Sequence, residues 1–315
     1  MNILVTGSEG SLMQFVIPLL VTKKYNVTGI DINEGGGSKT KRNYEFINAD
    51  CREITELEDV FHNRFFDYVI HSAATIYGVV GFNKFGADII SNDLISTANT
   101  LRCSLTHEIK KFVFISSSIV YEQVPKNYNN IDQFPAPKTY YGLSKFVGEK
   151  LCRAYREQYN LPYIIWRPFN IITPYEKAQA TQGFSHVFAD FIQQIVIDRK
   201  ETIGILGDGR QVRCFTWIKD VAEAIADLSF GSEQGEFNLG NVEPLTMTDL
   251  AVLIYVTAQR LNLIPKEQDL KFYHTPPMVN DVRYRVPYME RTEKVFNWRA
   301  KLKIKDSIEK CLKEM

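Results

Sequence analysis

Asn2-Ile3-Leu4-Val5-Thr6-Gly7-Ser8-Glu9-Gly10-Ser11-Leu12-Met13, closed eighteen residues after Met13 by Asp31, decides the fold. Asn2 to Thr6 reads as a short apolar strand. Gly7 to Gly10 is a turn, and an amphipathic helix follows it through about Thr22. Val27 to Ile30 is a second strand ending at Asp31. Strand, glycine turn, helix, strand and acid in this order form a dinucleotide-binding pattern. The turn brings a pyrophosphate against backbone N–H groups at a helix N-terminus. The acid accepts hydrogen bonds from ribose hydroxyls, which favours NAD over NADP: a 2′-phosphate beside Asp31 would be repelled, and no arginine follows it directly. The usual third glycine position holds Met13, which predicts a slightly displaced helix. A glycine-rich loop without a ligand is the plain alternative, and the strand and the acid both argue against it.

Outward from this unit the same alternation continues. Gly35-Gly36-Gly37-Ser38 is a flexible loop and Tyr44 to Asn48 a third strand. Asp50 follows, either to meet an adenine amino group or to cap the helix starting near Ile54. Phe66 to Ile70 is a fourth strand, ending in His71-Ser72-Ala73-Ala74, where small residues leave room for a cofactor. His71 reads as a packed strand-end residue and not as a catalyst. Tyr77 to Phe82 reads as a mobile loop able to lie over a bound sugar, and a long helix runs from about Ala87 to His107. Lys111 to Ser116 is a fifth strand, apolar on both faces as a central parallel strand should be. Ser116, Ser117 and Ser118 stand at its C-terminal end, where open parallel sheets bind ligands. A polar loop with Pro125, Pro135 and Pro137 comes next, and Leu161 to Arg167 is a sixth strand. Beyond it the pattern loosens. A turn at Gly207 to Gln211 precedes the apolar stretch Phe215 to Ile218 and a helix from Asp220. Arg283 and Arg285 alternate in extended spacing, which puts both on one side.

The whole chain of 315 residues has 45% hydrophobic and 23% charged residues and a formal net charge of zero. That is ordinary globular composition, with no bulk attraction to nucleic acid or an anionic membrane. No apolar run reaches the length of a membrane span, and the N-terminus enters a strand with no signal-peptide pattern. Five scattered cysteines and five histidines show no metal-ligand spacing, so a reduced, cytoplasmic, metal-free protein is expected.

Thr139-Tyr140-Tyr141-Gly142-Leu143-Ser144-Lys145 carries the chemistry. Tyr141 and Lys145, four apart, share one helix face. An ammonium beside a phenol favours the phenolate, which predicts a Tyr141 pKa lowered from about 10 toward neutrality. Such a phenol can take a proton from a sugar hydroxyl and return it. On its own the pair also fits a packing aromatic and a solvated lysine.

Together these motifs resemble the extended short-chain dehydrogenase/reductase family, in its nucleotide-sugar epimerase and dehydratase group. The resemblance rests on Thr6-Gly7-x-x-Gly10, Asp31, His71 to Ala74, Ser117 four before Tyr121, Tyr141-x-x-x-Lys145, Arg167-Pro168-Phe169-Asn170, Arg213, and Asp281, Arg285 and Pro287. It implies an α/β fold: a Rossmann-type doubly wound parallel sheet with a smaller C-terminal substrate-binding α/β region. Residues 1–170 would form the NAD-binding domain, with segments near 212–235 returning to it, and 171–315 mainly the substrate-binding region. It implies Tyr141 as general acid/base, Lys145 as the lysine that tunes it and binds the nicotinamide ribose, and Ser117 on the reacting hydroxyl. Gly7, Gly10, Ser11, Leu12, Asp31, Asp50, Cys51, Ala73, Ala74, Asp93, Tyr141, Lys145 and Pro168 become the candidate NAD contacts. Thr75, Ser117, Ser118, Asn170, Arg213 and Arg285 become substrate contacts, with Arg283 in reserve; the arginines suit a diphosphate. It also implies a homodimer through the long helix and the Tyr141 helix. Three departures stand out: Met13 for glycine, Asp93 for asparagine in Asp93-Leu94-Ile95-Ser96-Thr97-Ala98-Asn99, and Glu122 for glycine after Tyr121.

The reaction is read from what stands between Ser117 and Val120. Family dehydratases place an Asp-Glu pair there, and this chain has Ser118 and Ile119. Ile119 transfers no proton. The remaining set suits NAD-dependent 4-epimerisation of a nucleoside-diphosphate hexose. A 4,6-dehydratase, or a C3/C5 epimerase using Glu122 or a group near Tyr77, is the second reading; the loop Tyr77 to Phe82 resembles that of GDP-mannose 3,5-epimerases. A non-catalytic NAD-sensing regulator is the third, and the intact Tyr141–Lys145 pair argues against it.

Overall fold

The strand that opens the chain lies inside the main sheet, and the order of its neighbours creates the site. The fold is that of a computed structural model, which describes residues 1–33, 40–123, 135–178, 185–277 and 282–315. Gly35 to Ser38, Pro125 and Asp281 lie outside the described residues. The first unit is β1 (Asn2–Thr6), α1 (Met13–Thr22) and β2 (Asn26–Asp31). Then come β3 (Thr40–Lys41), β4 (Tyr44–Asn48), α2 (Ile54–His62), β5 (Tyr68–His71), α3 (Val79–Lys84) and α4 (Gly86–Thr106). β6 (Lys111–Ile115), α5 (Tyr140–Tyr159) and β7 (Tyr163–Pro168) complete the regular part. Shorter elements follow: β8 (Ile171–Ile172), α6 (Val187–Ile192), β9 (Thr202–Leu206), β10 (Val212–Cys214), β11 (Thr216–Trp217) and α7 (Ile218–Leu228). The chain ends with β12 (Gly235–Leu239), β13 (Pro244–Thr246), α8 (Met247–Arg260), β14 (Lys271–Thr275), β15 (Tyr284–Arg285), α9 (Glu290–Phe296) and α10 (Ile304–Glu314).

Among the described residues the main sheet has eight strands in the order β12-β7-β6-β5-β1-β2-β4-β3, parallel except for β3. From β1 the chain builds outward through β2 and β4, then returns to β5 on the other side. The reversal opens a crevice at the carboxyl ends of β1 and β5, where doubly wound sheets bind ligands. Every residue of β6 is buried, because helices cover both faces. On one face α1 and α7 pack Val16, Leu20, Val221 and Ile225 against Ile3, Val5, Val113 and Trp166. Met13, the departure from glycine, is fully buried in this layer. On the other face Leu57, Phe61, Leu101 and Cys152 meet Leu4, Phe112 and Phe114. α5 sits so close that a Cβ on Gly148 would lie 2.5 Å from the Phe114 ring. A third cluster, including Phe188, Phe215, Trp217, Leu250 and Ile308, fills the C-terminal region.

The segment Tyr77 to Phe82 differs from the mobile loop expected. It passes into α3, Phe82 is buried, and Tyr77 packs on Phe85 with ring centroids 4.9 Å apart. Its aromatic residues gain more from burial than the glycines cost in backbone entropy.

A buried polar network ties α5 to the sheet beneath the site. Arg167 donates to both Glu149 oxygens, at 2.7 and 2.5 Å, and to the Tyr121 hydroxyl at 2.6 Å. Ser116 donates to Glu149 at 2.6 Å, and Tyr121 to Asn238 at 3.0 Å. Removing one partner of such a buried pair typically costs about 3–5 kcal/mol, since the other charge stays buried.

Candidate active site

A cavity of ≈ 550 Å³ opens beyond the carboxyl ends of β1, β2, β5, β6 and β7 and extends into the C-terminal region. Every site residue expected from the sequence lines it except Arg283.

At one end is the glycine turn. Gly7 has φ +68°, and a Cβ there would lie 2.7 Å from the Ala73 nitrogen, so the turn and the end of β5 can approach only with glycine. Ser11 and Leu12 lead from it into α1. Asp31 ends β2 and accepts from the backbone N–H of Glu9 at 3.0 Å and of Asn33 at 2.9 Å. Asp50 forms a forked pair with Arg52, at 2.9 and 2.6 Å, which holds its carboxyl below the usual range. It does not cap α2, whose N-cap is Glu53. Cys51 is a packed thiol, pushed up to about 12 by burial. Its carbonyl and that of Arg52 accept from the Asn99 side chain at 3.2 and 2.8 Å. His71 is fully buried between Thr6 (2.8 Å) and Thr97 (3.1 Å), and burial pushes it down to about 3. A ring held neutral in this way is structural.

In the middle stand the three groups of the Tyr141 stretch. Thr139 caps α5 by accepting from Gly142 N–H at 3.0 Å, a contact worth roughly 1 kcal/mol. Glu122 accepts from the N–H groups of Lys138 and Thr139, at 2.5 and 2.7 Å. This departure from glycine therefore clamps the start of α5. Lys145 Nζ donates to the Ile115 carbonyl at 3.1 Å and lies 5.8 Å from the Tyr141 ring centroid. Phe82 stacks on Tyr141 at 4.6 Å, and Ile119 packs in the same cluster. Ser117 accepts from the Ile119 N–H at 3.2 Å and opposes the upward push on the phenol, while Ser116 is turned to Glu149 and Ser118 is buried in a 3₁₀ turn, Ser118–Tyr121. Asp93 accepts from Thr75 N–H at 2.8 Å and from Ser144 Oγ at 2.7 Å.

The electrostatics correct one expectation. The Tyr141 phenol is pushed up, not down. Burial is the first cause and the Asp93 carboxylate the second; Ser117 and Arg285 oppose them. Lys145 is itself lowered by burial, against the pull of Asp93 and Glu149. Proximity of Tyr and Lys fixed the geometry, but the apolar wall of Phe82 and Ile119 dominates the titration.

The far end belongs to short strands. Arg213 and Arg285 are paired in register on β10 and β15, and both are nearly buried. Arg285 donates to Asn170 at 3.2 Å, and Asn170 donates to the Cys214 carbonyl at 2.7 Å. Arg283 does not share their side. The strand begins only at Tyr284, so the alternation does not reach it, and Arg283 pairs with Asp208 at the surface at 2.6 Å. Sequence reasoning missed Glu176 and His186 on this wall, 2.7 Å apart, because they stand ten positions apart with no helical or strand spacing to link them.

A family model described as the NAD dependent epimerase/dehydratase family matches residues 3–240. The chain belongs to that family. It is 32% identical over 227 residues, 70% of this chain and 71% of the relative, to a putative UDP-glucose 4-epimerase of Methanocaldococcus jannaschii. It is 26% identical over 333 residues to a human dTDP-D-glucose 4,6-dehydratase, covering 99% and 89% of the two chains. The crystal structure of a Thermotoga maritima UDP-glucose 4-epimerase has the same fold, with TM-score 0.85 at 24% identity over 99% and 98% of the two chains. The family's cofactor is NAD, and the site's residues fit it. The Gly7 cradle leaves backbone room that any Cβ would fill, and Asp31 stands at the end of β2.

Proposed function

We propose that this member of the family is an NAD-dependent nucleotide-sugar 4-epimerase. One observation carries the reading: a single cavity joins the Gly7 cradle, the Ser117–Tyr141–Lys145 group and the Arg213–Arg285 pair, with apolar Phe82 and Ile119 beside the phenol. Gly7, Gly10, Ser11, Leu12, Asp31, Asp50, Ala73, Ala74 and Pro168 would hold the dinucleotide, with Cys51 packed behind it. When bound, NAD supplies the reversible hydride acceptor for C4. Tyr141 takes the proton of the C4 hydroxyl and returns it, Ser117 orients that hydroxyl, and Lys145 binds the ribose and supplies positive charge. Arg213 and Arg285, with Asn170, hold the diphosphate while the keto-hexose turns over. Thr75 and Ser118 are contacts to the sugar. Residues 1–170 serve mainly the cofactor and 171–315 mainly the substrate, with α7 and β12 returning to the first layer.

The relatives named as UDP-glucose epimerases make UDP-hexoses the first substrates to test. A dehydratase or C3/C5 epimerase needs an acid beside the sugar. Glu122, the sequence candidate, is committed to two backbone donors. Proton NMR of UDP-hexoses incubated with the NAD-loaded protein in D₂O tests the reading. The expected product is the C4 epimer with no ring deuterium. Deuterium at C3 or C5, or a 4-keto-6-deoxy product, would replace it with enolisation or elimination.

We also infer a cytoplasmic homodimer. All five cysteines are free and buried, as in reducing compartments. No described helix is long and apolar enough to cross a membrane. α4 and α5, which pack together, expose Ile95 and Leu143 (47% and 40%), apolar cover that a second copy would bury. Light scattering is expected to give twice the chain mass; a monomer mass would remove the assembly.

A further inference from the structure

The wall of the cavity that carries Arg213 and Arg285 also carries a pair that the mechanism above leaves unused. His186 Nδ1 lies 2.7 Å from Glu176 Oε1, and the backbone N–H of His186 donates to the same oxygen at 3.0 Å. The carboxylate thus favours the proton on Nδ1 and orients the ring. Nε2 makes no hydrogen bond to a described residue. The imidazole lines the cavity, and its side chain is 54% exposed against 22% for Glu176. A merely structural histidine of this protein looks different: His71 is buried with both nitrogens engaged.

We propose that His186, oriented by Glu176, is a third cationic contact for the substrate's diphosphate, beside Arg213 and Arg285. The assignment rests on the nucleotide-sugar reading given above. It makes substrate affinity depend on pH in a way the two arginines cannot, since guanidinium does not titrate near neutrality.

The groups facing His186 set the direction. With the side chain half exposed, burial adds little against its protonation, and the charge of Arg285 on β15 opposes it. Glu176 from the loop after β8 and Asp190 from α6 favour protonation and outweigh them. Asp190 also accepts from Ser185 Oγ at 2.5 Å. The result is an imidazole raised above its ordinary value. Below its pKa the ring carries charge and donates from Nε2. As pH rises through the pKa, the charge and that donor are both lost. A diphosphate diester keeps its charge across neutral pH, so the change in affinity belongs to the protein.

Calorimetry of UDP-glucose binding to the NAD-loaded protein, at about pH 6 and about pH 8.5, tests this. Affinity is expected to fall about tenfold between the two, the worth of one charge-assisted hydrogen bond. His186→Gln should bind with the weaker affinity at both. Glu176→Gln should keep a transition but move it to lower pH, a shift that a purely structural role would not produce. Uridine, without the diphosphate, should bind with no pH dependence. A His186→Gln profile superimposable on the wild type overturns the contact and leaves the nucleotide-sugar reading standing. A uridine profile that tracks UDP-glucose overturns the assignment to the diphosphate. No binding of UDP-glucose, dTDP-glucose or GDP-mannose at either pH overturns the nucleotide-sugar reading itself, and the contact with it.

Discussion

The two ends of the cavity are built in opposite ways. The cofactor end is made by regular strands that each finish at the crevice: Gly7 follows β1, Asp31 ends β2, Ala73 follows β5 and Ser116 follows β6. Neighbours in space there are strands of one regular parallel sheet that all end at the same crevice, so a single topology places them all. The substrate end is assembled from separate small sheets, most of their strands only two or three residues long. β10 pairs with β13 and β15, β11 with β8, and β9 with β14. Arg213 and Arg285 meet in register across more than seventy positions of chain. The first end is a property of the fold, and the second a property of this sequence on that fold. Chemistry should therefore fail with changes at the first end, and recognition with changes at the second.

The largest effect expected is at the junction of the two. Tyr141→Phe removes the hydroxyl that exchanges the proton and leaves the stacked ring against Phe82. Turnover should fall roughly 10³-fold, within the range of general acid–base catalysis, while NAD stays bound and substrate affinity changes little. Stopped-assay kinetics and the absorbance of the protein-bound cofactor read the two quantities separately. Full residual activity would detach Tyr141 from the chemistry. A loss confined to substrate affinity would erase the division between the two ends.

How much of this was legible follows from the same contrast. β1, β2, β4, β6, α1 and α4 stand within a few residues of where periodicity put them, because buried parallel strands and their glycine turn carry strong local patterns. The three serines were legible as a group at the end of β6, and the fold separates them: Ser117 lines the cavity with Tyr141, while the Ser116 hydroxyl turns to Glu149. The titration of Tyr141 was not, since it depends on Phe82 and Ile119, which approach from α3 and the 3₁₀ turn. Glu122 looked like a spare acid in one dimension. In three it closes on backbone donors sixteen and seventeen residues away. Glu176 and His186 had no local pattern at all, and only the folding of the loop after β8 against α6 brings them together.

The smallest predicted effect is as informative as the largest, because two arginines two residues apart should differ completely. Arg285 is buried on the cavity wall, bonded to Asn170 and in register with Arg213. Arg285→Ala should raise KM roughly tenfold to a hundredfold, the worth of a charged hydrogen bond, with kcat changed far less. Arg283 points outward to Asp208, and both side chains are more than half exposed (61% and 51%). Solvent screens such a pair, so Arg283→Ala should leave KM within about twofold of the wild type. Steady-state kinetics on the two variants settle the matter. Equal rises in KM would mean that the extended spacing had been right and that Arg283 turns into the cavity when substrate binds. A rise for Arg283 alone would move the diphosphate to the turn at Gly207 to Gly209, away from the wall that Arg213 and Arg285 share. Only a large effect at one position and none at its neighbour is consistent with recognition held by single side chains on strands too short to impose an alternation.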